Sequence, residues 1–77
     1  QESALFRRLA DAHELTSDER RALSTMARFQ GLGDPALLFV SPSALARGLP
    51  LLRDSAPALA RAAAPLAERL FRGAVRG

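Results

Sequence analysis

The sequence predicts an all-α fold, a compact orthogonal bundle of about five short helices. Three observations carry that expectation. The apolar residues are nearly all Ala and Leu, with four Phe, two Val, one Met and no Ile, Trp or Tyr. Strands draw on β-branched and aromatic residues, whereas helices favour Ala, Leu, Arg and Glu. Apolar residues also recur at helical spacing in several segments, and helix-start signals stand between them.

Residues 3–14 read as the first helix, with Leu5, Leu9 and Ala12 on one stripe and Phe6 and Ala10 beside it. Thr16-Ser17-Asp18-Glu19 is the clearest start signal: Thr16 caps and Glu19 returns the bond, a capping box, with Leu15 placed as its hydrophobic staple. The second helix runs to about Gln30, burying Leu23, Met26, Ala27 and Phe29, and Gly31 and Gly33 end it, because glycine accepts the left-handed cap. Asp34-Pro35 starts a short buried helix over the apolar run Ala36 to Val40, and Ser41-Pro42 starts a fourth with Leu45, Leu49 and Leu52 inward. Gly48 and Pro50 are expected to break that fourth helix near Gly48 and leave a turn before Asp54. The last segment begins at Asp54 or Ser55 with Pro57 in its first turn. Pro65 in its middle implies one kinked helix or two in sequence. The expected core is Leu9, Leu23, Met26, Phe39, Leu45, Leu59, Leu66 and Leu70.

Seventy-seven residues make one domain, residues 1–77, read as excised from a longer chain because it does not start with Met. A chain this small buries about 60% of the surface its unfolded form exposes, so its core is thin. Cysteine is absent, and a small secreted domain would usually need disulfides, which favours a cytoplasmic setting. No stretch approaches the roughly 20 apolar residues of a membrane span. All eleven basic residues are Arg, a bias that together with the Ala and Leu content points to a bacterial, GC-rich coding sequence.

Catalytic and metal-binding chemistry lacks its parts. His13 is the only histidine and sits where a cationic side chain suits the end of a helix. Glu14, Asp18 and Glu19 straddle a helix junction and match the dipole of the second helix. Gly31-Leu32-Gly33 lacks the third glycine and the preceding strand of a phosphate loop. The expectation is therefore a non-enzymatic chain with no cofactor and no metal.

Charge is uneven: residues 1–40 hold five Arg against six acidic residues, and residues 41–77 hold six Arg against two. Arg61, Arg69, Arg72 and Arg76 gather that excess on the last helix and form the candidate partner-binding face. The leading expectation is a helical protein–protein interaction or assembly module of a larger bacterial protein, its partner another protein or another domain of the same chain. Two alternatives stand beside it. Leu15-Thr16, Glu19, Leu23 and Ala27, followed by Val40-Ser41, resemble the DNA-binding domain of LuxR-type regulators over residues 15–52. That resemblance implies a helix-turn-helix with its recognition helix from Pro42 to Leu49, where Ser43 and Arg47 are the side chains available to DNA. The other alternative is membrane-surface binding by the Arg-rich amphipathic stretch 57–76.

Overall fold

The computed structural model describes residues 3–75, with side chains described through Phe71. In chain order the elements are α1 (Ala4–Ala12), α2 (Ser17–Phe29), the 3₁₀ helix η1 (Pro35–Phe39), α3 (Pro42–Ser55) and α4 (Pro57–Val75). The fold is all-α as expected, but the middle element is a 3₁₀ turn, leaving four α-helices rather than five. The Cα radius of gyration is 11.2 Å, close to the roughly 11.5 Å expected for a folded chain of this length.

The predicted capping box is present in full. Thr16 Oγ1 accepts from the Glu19 amide at 3.1 Å, and Glu19 Oε1 accepts from the Thr16 amide at 2.8 Å. Leu15 is buried, but position four of α2 is Arg20, so Leu15 joins the common core rather than a local staple. Ser41 and Asp34 likewise cap α3 and η1, each followed by proline at the first position. Both α1 and α2 end in a Schellman motif. In α2 the Gly31 amide donates to Arg28 and the Leu32 amide to Ala27, with Gly31 at φ 71°. In α1 the Glu14 amide donates to Asp11 and the Leu15 amide to Ala10, and Glu14 itself stands at φ 55°.

The buried faces of α1 and α2 are rotated from those expected, and the apolar run expected to be buried is exposed on one side. In α1 the buried residues are Phe6 and Ala10, with Leu9 partly buried and Leu5 and Ala12 exposed. Long-range contacts accompany this rotation. Ser3 Oγ accepts from the Phe6 amide at 3.0 Å and donates to Asp34 Oδ1 at 2.9 Å, which joins the cap of α1 to the cap of η1. On the same side Phe6 packs against Phe39, with ring centroids 5.8 Å apart. In α2 the buried face is Ala22, Leu23, Met26 and Ala27, and Phe29 is exposed. Phe29 lies about 90° round from the middle of that stripe. Gln30 comes near the middle instead, and its amide donates to the Ala44 carbonyl at 2.9 Å. In η1, three residues per turn sort the apolar run: Pro35 with Leu38 and Ala36 with Phe39 face inward, while Leu37 and Val40 share the outer side.

The expected break in α3 does not occur. Gly48 is buried where α3 crosses α2: a Cβ there would stand 2.7 Å from Met26 Sδ and 2.8 Å from Gln30 Nε2. Glycine is thus the contact that lets the helices approach. Pro50 and Ala46, whose carbonyl it frees, are both exposed, so water can satisfy that oxygen. Pro65 and Arg61 repeat this arrangement in α4. The one non-helical residue within α4 is Phe71 (φ −126°, ψ 31°), not Pro65. Asp54 and Ser55 belong to the last turn of α3 rather than to the start of α4, and the Ser55 hydroxyl donates to the Leu51 carbonyl.

Among the described residues, seven large side chains are fully buried: Phe6, Leu23, Met26, Leu38, Leu45, Leu52 and Leu66. Phe39 is also buried, while Leu9, Leu59 and Leu70, expected in the core, pack at its edge. The most extensive helix pairing is α3 with α4, and α2 packs on both.

Candidate functional site

Of the four arginines expected on one face, the structure describes the side chains of Arg61 and Arg69, and it gives them different surroundings. Arg69 is engaged within the fold: Nη1 donates to Glu19 Oε2 at 3.0 Å and Nη2 to the His13 carbonyl at 2.9 Å. One guanidinium therefore fastens α4 to the α1–α2 corner and satisfies a carbonyl at the end of α1. Glu19 is shared, one oxygen closing the capping box and the other holding Arg69. Sequence reading identified Glu19 only as a local cap; no local pattern encodes its second bond, which spans 50 positions. Arg61 lies eight residues before Arg69, about 12 Å along the helix and 80° around it. The side chain of Arg72 and all of Arg76 lie outside the described residues.

Arg61 has a different companion, Arg53 of α3, which the sequence did not single out. The two line an open groove between α3 and α4 with Pro57, Ala60 and Ala64. Both arginines are exposed. The ion pairs among the described residues are Arg69–Glu19 and Arg20–Asp11, and neither involves this groove. The expected break near Gly48 hid Arg53, which the unbroken α3 carries in its last turn.

The remaining candidates take structural places. His13 is exposed, caps α1 and stacks on Phe39 with ring centroids 5.4 Å apart. Glu14 is exposed at the left-handed cap, and no group of three or more metal-ligating side chains occurs among the described residues. The segment resembling a helix-turn-helix comprises α2, η1 and α3, so a five-residue 3₁₀ turn stands where that motif has its middle α-helix. Of the α3 residues expected to read DNA, Ser43 and Arg47 are exposed, flanked by Pro42, Ala46 and Pro50. On α4 the apolar stripe of Ala60, Ala63, Leu66 and Phe71 is buried, and the exposed side carries Ala58, Ala64, Pro65 and charged residues. No described helix is long and apolar enough to cross a membrane.

Among the described residues, five large apolar side chains are exposed: Val40 at 72%, Leu5 at 54%, Phe29 and Leu37 at 46% each, and Leu51 at 42%. Of these, Leu37 in η1 and Val40, its C-terminal cap, stand three positions apart, one turn of a 3₁₀ helix. No protein-family model, curated protein or solved structure matches the chain.

Proposed function

We propose that the chain is a non-enzymatic helical interaction or assembly module, part of a larger bacterial protein that works in the cytoplasm. The observation that carries this reading is the outer side of η1. Its inner residues anchor the core, yet Leu37 and Val40 stand in water next to it. A small domain that leaves two apolar side chains three positions apart on its surface offers them to a partner. The arginine bias and the lack of cysteine support the bacterial and cytoplasmic parts of the reading.

The helix-turn-helix alternative needs a helix presenting several polar side chains to base edges, and α3 offers Ser43 and Arg47 between prolines and alanines. The membrane-surface alternative needs an apolar face on α4, and that face packs against α2 and α3.

The test is affinity capture from the lysate of the native host, using the wild type and the double variant Leu37→Ala with Val40→Ala. The expected outcome is a protein bound by the wild type and lost from the variant while both melt alike. A mobility shift with duplex DNA, falling steeply with salt, would instead establish the regulator reading.

A further inference from the structure

We propose that the groove between α3 and α4 is a docking site for an acidic, small-residue helical segment of a partner protein, held by Arg53 and Arg61. This rests on the interaction-module reading and adds a second surface to it, with a stated chemistry. Two guanidiniums and no carboxylate line the groove, and its floor is the Pro57 ring with Ala60 and Ala64. Neither arginine is taken up by the ion pairs among the described residues, in contrast to Arg69 and Arg20. Both are exposed, so their charge is available without disturbing the core.

The chemistry selects among anionic partners. A guanidinium meets a carboxylate through two parallel N–H donors, a geometry that favours arginine over lysine. A floor of methyl groups and one proline ring lets another helix approach closely, as small residues do wherever helices pack. Nucleic acid would require a longer array of cations along the phosphates, since affinity there grows with the number of phosphates neutralised. A membrane surface would require bulky apolar side chains to insert, and none lines the groove. An acidic segment with Ala between its carboxylates satisfies both the rim and the floor.

The probe is a fluorescein-labelled helical peptide with Glu at every third or fourth position and Ala between, compared with its Gln-for-Glu counterpart by fluorescence anisotropy at low and moderate salt. The protein is the full chain as wild type, as Arg53→Gln with Arg61→Gln, as Ala64→Leu, and as Arg7→Gln with Arg8→Gln. Thermal melts confirm that each variant folds. The Glu peptide should bind the wild type, and the groove double variant should bind it about tenfold more weakly, the sum expected of two exposed charge pairs. Ala64→Leu, which fills the floor and leaves the charge untouched, should also weaken binding. The Arg7/Arg8 variant on α1 should bind as the wild type does. Equal binding of the Glu and Gln peptides overturns the proposal, as does an equal loss in the Arg7/Arg8 variant, the absence of binding at low salt, or tighter binding of duplex DNA or anionic vesicles. If the groove variants keep the native partner while the Leu37/Val40 variant loses it, the groove proposal fails and the interaction-module reading stands.

Discussion

At the residue scale, two positions decide how closely the helices pack and how they end. Gly48 would meet Met26 and the Gln30 amide if it carried a Cβ. Alanine at a helix interior gains about 1 kcal/mol over glycine, but overpacking a buried contact costs about 1–3 kcal/mol. Met26 is fully buried and Gln30 would lose its bond to the Ala44 carbonyl, so the packing cost wins. Gly48→Ala should destabilise by about 1–2 kcal/mol in urea unfolding; an unchanged midpoint would mean that Met26 moves aside freely. Glu14 presents the opposite case. It holds a left-handed conformation that suits glycine, and it places a negative charge at the C-terminal end of α1. Glu14→Gly should raise stability by about 0.5–1 kcal/mol, read as a higher melting temperature. A fall would indicate that the Glu14 side chain makes a contact that matters more than its backbone.

At the element scale, the junction between α1 and α2 is closed by local and distant bonds that meet at Glu19. Thr16→Ala removes one acceptor and should cost about 1 kcal/mol. Glu19→Ala removes the reciprocal bond and also leaves Arg69 without its carboxylate, so its cost should exceed that of Thr16→Ala by about 0.5–1 kcal/mol. A double-mutant cycle between Glu19 and Arg69 measures that excess, and zero coupling would reduce the pair to a surface contact. The same bond means that Arg69→Glu would set two carboxylates against each other at the α1–α2 corner, so charge reversal at this position reads folding before it reads binding. The capping box, the proline starts and the glycine stop of α2 were legible because each is a short-range pattern with its own chemistry. The rotated face of α1 was not, because the contacts that accompany it, Phe6 on Phe39 and Ser3 on Asp34, join residues far apart in the chain. Gly48 and Pro50 were misread as breakers because a linear pattern does not reveal which side of a helix is solvated. The candidate site suffered the same way: charge density marked Arg61 and Arg69 alike, and only packing separates the tied one from the free-standing one.

At the scale of the whole molecule, one small core is filled by residues from every element, so stability is concentrated in few side chains. Leu23, fully buried in α2, should cost about 2–5 kcal/mol when truncated to Ala, and a near-neutral result would place α2 outside the core. The same economy makes the surface informative: a domain with so little apolar area to bury leaves Leu37 and Val40 outside it. The central claim is that these two residues are held for a partner and not for the fold, and η1 supplies its own internal control. The measurement is the unfolding free energy of Leu37→Ala with Val40→Ala beside that of Leu38→Ala, whose side chain is fully buried between them in sequence. The double variant should lose less than about 1 kcal/mol and the single variant about 2–5 kcal/mol; a double variant that loses as much as Leu38→Ala would show that the outer side of η1 belongs to the core and would contradict the claim.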